Sequence, residues 1–92
     1  MDCSALVLNK LLLDKDVDIW SKLKVNFLDT AYTALYSAIS RYYDKYSEIP
    51  SFDELALSIR EGNTSQLLIS IKAIDEPDIE GHVALDALID QY

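Results

Sequence analysis

The chain has 92 residues, half of them hydrophobic, with a formal net charge of −8 and an isoelectric point near 4.3. That length holds one small domain with a modest core, and two glycines with two prolines leave little room for a loop-rich or many-stranded fold. The single cysteine, Cys3, excludes an internal disulfide framework and fits a reducing compartment.

Charge is unevenly placed. Residues 1–45 balance six cations against six carboxylates, whereas residues 46–92 set two cations against ten carboxylates. A surface of that sign repels a phosphate backbone, which argues against direct binding of DNA or RNA and favours a basic protein partner. The plainer reading is that acidity keeps a leucine-rich domain in solution.

Apolar periodicity predicts six helices and no strands. The first covers about Cys3 to Leu13, with Asp2 or Ser4 as cap and Leu8, Leu11 and Leu12 facing inwards. Its apolar run, Ala5 to Leu13, contains Asn9 and Lys10, has no basic leader and is too short to span a membrane, so the chain reads as cytoplasmic. A short second helix, about Val17 to Lys24, carries the only tryptophan, Trp20. Asp16 and Asp18 lie at its positive end and Lys22 and Lys24 near its negative end.

The third helix, about Asp29 to Tyr46, bears a stripe of Leu28, Tyr32, Leu35, Ile39, Tyr42 and Tyr46 at alternating steps of four and three. Tyr32, Leu35, Ile39, Tyr42 and Tyr46 are expected in the core, together with Phe27 and Phe52. Pro50 then stops the helix: it disfavours helical geometry at Ile49 and lacks a backbone donor. Ser51 and Glu54 carry the spacing of a capping box that opens a fourth helix, about Phe52 to Glu61. Gly62-Asn63 reads as its stop.

A fifth helix, about Ser65 to Ile74, places Leu67, Leu68, Ile71 and Ile74 on one face and is broken at Glu76-Pro77. The sixth starts near Ile79. Leu85, Leu88, Ile89 and Tyr92 form a stripe still intact at the last residue, a pattern expected of a chain cut in front of further helical structure and equally of a frayed natural terminus. Connections are short throughout, so the fold class is all-α: one compact orthogonal bundle of about six helices over residues 1–92.

Several segments together resemble the N-terminal domain of DnaB-type hexameric replicative helicases, tailed-phage branch. Ala5-Leu6-Val7-Leu8 with Leu11-Leu12-Leu13-Asp14 are similar to that family's opening helix and acidic turn. Val25-Asn26-Phe27-Leu28 resembles the aromatic lead into its central helix, and Leu35-Tyr36-Ser37-Ala38-Ile39 with Tyr42 resembles that helix. Tyr46-Ser47-Glu48-Ile49-Pro50-Ser51 and Leu55 resemble the phage-type turn and the helix after it. Beyond Leu57 the likeness rests on helix order. Tyr32 and Ala34 stand where the bacterial branch tends to carry a histidine, and that branch's glycine-containing turn is missing, which favours the phage branch.

The resemblance implies a helical head that is followed, in the whole protein, by a hairpin, a linker and a RecA-like ATPase. It implies a non-catalytic role: self-association within a helicase hexamer and docking of primase or helicase loader, in the cytoplasm of a bacterial host. Two other readings stay open. One is the helicase-binding domain of a primase; the other is a free-standing small acidic protein that inhibits host machinery.

Catalytic and ligand chemistry find little in the sequence. No G-x-x-x-x-G-K-[ST] motif occurs, and Gly62 and Gly81 alone assemble no phosphate-cradling loop. His82 reads as an ordinary surface residue, and nothing local brings it to Cys3 as a nucleophile pair. Asp14, Asp16 and Asp18 alternate like the opening of a calcium loop but lack its later glycine and glutamate. No cofactor or metal is expected. Candidate protein-interaction residues are Tyr36 and Tyr43, two turns apart at the edge of the tyrosine stripe, and the terminal set Leu85, Leu88, Ile89 and Tyr92.

Overall fold

The computed structural model of the chain describes residues 3–75 and 78–91. Its axis is α1, Cys3–Asp14, in which every residue from Ser4 to Leu12 is buried. Leu8, Leu11 and Leu12 do face inwards, but so does the rest of the circumference. A helix apolar on all sides is stable only when other elements surround it. Here α2 (Val17–Lys22), α5 (Gly62–Lys72) and α6 (Gly81–Gln91) pack around α1, with α6 making its most extensive contact.

The polar interruptions of that run are part of the packing. Asn9 is fully buried, and its Nδ2 donates to the carbonyls of Ile71 at 2.9 Å and Ile74 at 3.3 Å. Ile71 lies in the last turn of α5, where its carbonyl also accepts from Ile74 N–H at 3.1 Å, and Ile74 lies two residues past that helix, so Asn9 ties the end of α5 to α1. Gly81, the first residue of α6, sits where an added Cβ would lie 2.5 Å from Ile19 Cδ1 and 3.3 Å from Lys10 Cβ. A side chain there would have to push the tip of buried Ile19 aside, so glycine lets α6 start close to α1 and α2.

Local chemistry sets the helix starts. Asp16 caps α2 by accepting from the N–H groups of Asp18 and Ile19, and Asp18 pairs with Lys22 at 3.3 Å one turn on. The helix ends at Lys22, two residues short of the expectation, because Leu23 turns extended and buries its side chain. Asp29 accepts from Ala31 N–H and opens a 3-10 turn, Thr30–Tyr32, after which α3 runs from Thr33 to Tyr46. The expected third helix is therefore a 3-10 entry followed by an α-helix.

The capping box at α4, Phe52–Ser58, is complete: Ser51 Oγ accepts from Glu54 N–H and Glu54 accepts from Ser51 N–H. Ile49 and Pro50 are buried ahead of it.

Two sequence expectations are corrected. Gly62-Asn63 does not stop α4. That helix ends at Ser58, Ile59 and Glu61 are extended, and Gly62 is the first residue of α5, whose first turn closes by Ser65 N–H donating to Glu61 carbonyl. Neither glycine has positive φ; the left-handed positions are Lys15 and Ser47, just past the ends of α1 and α3. Ile59 packs against the core and Thr64 is buried, so shortening α4 serves burial on both sides of the break. The second correction concerns Tyr46, which lies 52% exposed and not in the core, whereas Tyr32, Leu35 and Ile39 are buried and Tyr42 is half-buried. The α3 stripe drifts off the core in its last turns, where Tyr42 and Tyr46 face the short α4.

Among the described residues there is no strand, and the six α-helices form one compact all-α bundle, with a radius of gyration of 12.0 Å. Among the described residues no helix is long and apolar enough to cross a membrane. The expected break at Glu76-Pro77 lies outside the described residues, as does Tyr92.

Candidate protein-docking surface on α3 and α4

Tyr36 and Tyr43 project from one edge of α3, and both meet Trp20 of α2. Ring centroids are 4.9 Å apart for Tyr36 and 6.2 Å for Tyr43, with tilted planes. Tyr36 OH also donates to the Leu23 carbonyl at 3.5 Å. All three rings are half-buried. Such offset aromatic contacts contribute about 0.5–1.5 kcal/mol each beyond burial. The pair proposed for partner contact is thus engaged inside the domain, as the clasp that holds α2 to α3.

The terminal set divides as well. Leu85 and Leu88 are 1% and 3% exposed, in the core with the rest of α6's inner face. Ile89 is 40% exposed, and Val83, elsewhere on the same helix, is 58% exposed. In this structure Leu85 and Leu88 present no surface.

The open surface lies elsewhere, along the groove between α3 and α4. At one end a hollow of about 390 Å³ is lined by Tyr42, Tyr46, Glu54, Leu57 and Ser58. Leu57 is 87% exposed, the largest exposure among the described large apolar residues. Tyr42 and Tyr46 rings lie 4.6 Å apart, and the Lys45 ammonium sits 5.3 Å from the Tyr46 centroid. A second hollow of about 170 Å³ shares Tyr42, Tyr46 and Ser58 with the first and adds Ala38, Arg41 and Lys45. A third, of about 280 Å³, shares Ala38, Arg41 and Ser58 with the second and reaches Arg60, Glu61 and Thr64. Together they make one trough, apolar and aromatic at the α4 end and cationic at the α5 end.

A hydrogen bond holds the trough's wall. Tyr42 OH donates to Glu54 Oε2, while Lys15 approaches the other oxygen of the same carboxylate at 3.7 Å. The hydrogen bond from Tyr42, with the Ser51 donors behind it, keeps the Glu54 carboxyl down at about 2. The same bond holds the Tyr42 phenol up at about 12. Glu54 therefore closes the capping box and fixes the Tyr42 ring at once.

Groups that carry chemistry elsewhere are accounted for by packing. His82 is not an isolated surface residue: its Nε2 lies 3.6 Å from Asp16 Oδ2 and 3.5 Å from Asp18 Oδ2, joining the first turn of α6 to the start of α2. Of the alternating aspartates, Asp16 is a helix cap and Asp18 an ion-pair partner. Among the described residues no group of three or more histidine, cysteine, aspartate or glutamate side chains is arranged to hold a metal ion.

Sequence reasoning missed the trough because Leu57 was counted among helix positions without a face. A signal existed: in Phe52-Asp53-Glu54-Leu55-Ala56-Leu57, Leu55 takes the inward position, so Leu57, two residues on, must point away from it. No family model matches the chain, and no curated protein or solved structure matches it either.

Proposed function

We propose that this chain is a non-catalytic docking module, and that it serves as the N-terminal head of a phage replicative helicase that supports ring assembly and receives primase or helicase loader. The observation that carries the docking reading is the α3–α4 trough, where the exposed Tyr46 and Leu57 line one hollow together with Tyr42. Tyrosine rings with an apolar neighbour are the groups from which interface anchors are built. Support for the helicase reading is the ordered resemblance from Ala5 to Leu57, which covers this trough from Leu35 to Leu57. Contact through so small a face is weak for one copy, well under the roughly 1,200 Å² of stable pairs, and multivalency in a ring strengthens it.

Light scattering on the isolated chain, alone and mixed with primase or loader from the same replicon, tests the reading. The expected result is concentration-dependent self-association or a complex, weakened by Leu57→Ala at unchanged thermal stability and at least about tenfold by the double change with Tyr46→Ala, which also loses the Tyr42 ring contact. Tyr36→Ala with Tyr43→Ala instead lowers stability, since those rings hold α2. A strict monomer that binds neither partner overturns the helicase-head reading and favours the acidic-inhibitor alternative.

A further inference from the structure

The cationic end of the trough has the parts of an oxyanion site. α5 begins there with Glu61 as its cap residue, and no side chain caps it. Helix geometry leaves the N–H groups of Gly62, Asn63 and Thr64 without intrahelical acceptors, at the positive end of the helix dipole. Open space lies on the side of Gly62 where a side chain would stand, so a ligand can reach the backbone there.

Beside these backbone groups, side chains from α5, α3 and the extended link face the same cavity. Thr64 lines the cavity at 9% exposure, and its hydroxyl has no hydrogen-bond partner among the described residues. That hydroxyl is open to the cavity, where a bound group can take its hydrogen bond in place of solvent. Arg41 from α3 and Arg60 from the extended link line the same cavity, and neither has an ion-pair partner among the described residues. These are the only two arginines of the chain, brought to one cavity of about 280 Å³ in a protein whose net charge is −8.

Glu61 lines the cavity too and opposes an anion. Two guanidinium groups against one carboxylate leave a single positive charge. That charge suits a monoanion and not a dianionic phosphate, which the acidic remainder of the chain also repels. We infer that this cavity binds one carboxylate, presented by an acidic side chain of the docked partner segment, whose apolar residues lie along the continuous trough against Tyr46 and Leu57. The inference deepens the docking reading and rests on it for the identity of the carboxylate's owner. It also assigns this face an acidic partner, against the basic partner that net charge alone suggests.

The test is a titration of the ¹⁵N-labelled full chain with a capped hexapeptide bearing one central glutamate among leucines, with its glutamine twin and inorganic phosphate in parallel. The expected result is a shift of the Gly62, Asn63 and Thr64 amides with the glutamate peptide and none with the glutamine twin. Arg41→Gln and Arg60→Gln, both exposed positions, each weaken binding about tenfold. Glu61→Gln strengthens it a few-fold. Equal response to both peptides, or to neither, overturns the carboxylate site, and so does tighter binding of phosphate than of the glutamate peptide. None of these arms needs helicase, primase or loader. Failure here therefore leaves the head-domain reading standing, and peptide binding without any docking of primase or loader sinks that reading alone.

Discussion

The α1–α6 side of the molecule and the α3–α4 side are built from similar residues and reach opposite outcomes. On the first, leucines from two helices bury one another, Asn9 satisfies the end of a third, and Gly81 permits the close approach. On the second, a helix of seven residues is what covers the Tyr42–Tyr46 face of α3, so Tyr46 and Leu57 are left outside. The difference lies in the length of the covering element. A long helix hides its partner's stripe from end to end, whereas a short one hides two turns and leaves the remainder as surface.

Truncating the closed side and the open side by the same chemistry separates them most sharply. Leu8→Ala removes a side chain with no exposed surface and is expected to destabilise by about 2–5 kcal/mol, much of what a domain this small possesses. Leu57→Ala is expected to change stability by less than about 0.5 kcal/mol. Chemical denaturation followed by circular dichroism measures both, and comparable losses would mean that Leu57 is covered in solution. Next in size is Asn9→Leu, which fits the volume but takes the donor from the Ile71 and Ile74 carbonyls. A loss of about 1–3 kcal/mol is expected, with faster amide exchange confined to the last turn of α5.

On both sides the helices were largely legible in the sequence, and the contacts between them were not. Periodicity found α1, α3 and α6, and the capping box located α4's start to the residue, because local spacing decides those features. Asn9 in an apolar run looked like an interruption. Its reason is a carbonyl 62 positions away, which no local pattern encodes. Gly62-Asn63 carried the residue types of a stop, yet tertiary burial of Ile59 and Thr64 moved the break upstream and turned the glycine into a helix start. Tyr36 and Tyr43 were correctly placed on an edge, but their partner Trp20 sits on another helix. Which aromatic edge is satisfied internally and which faces outwards is a question of packing, and only the assembled bundle answers it.

Two smaller effects probe the joint between the sides. Ser47 ends α3 in the left-handed region at φ 57°, where a side chain is strained. Ser47→Gly is expected to stabilise by up to about 1 kcal/mol, read as a raised Tm. The last test is pH. Glu54 titrates near 2 in the folded chain against an ordinary 4.5, so its contribution is complete above about 4.5 and is lost as pH falls towards 2. Tyr42 works in the opposite direction: raised from 10.0 to about 12, it contributes below 10 and loses that contribution as pH rises through 12. Glu54→Gln keeps the capping-box spacing and removes only the charge. Its Tm should lie below that of the parent at pH 6, and the gap should narrow between pH 4.5 and 2 as the parent's carboxylate is protonated. A gap that stays constant across that interval would show that the carboxylate does not hold the Tyr42 ring, and the trough would then lose the wall that makes it a site.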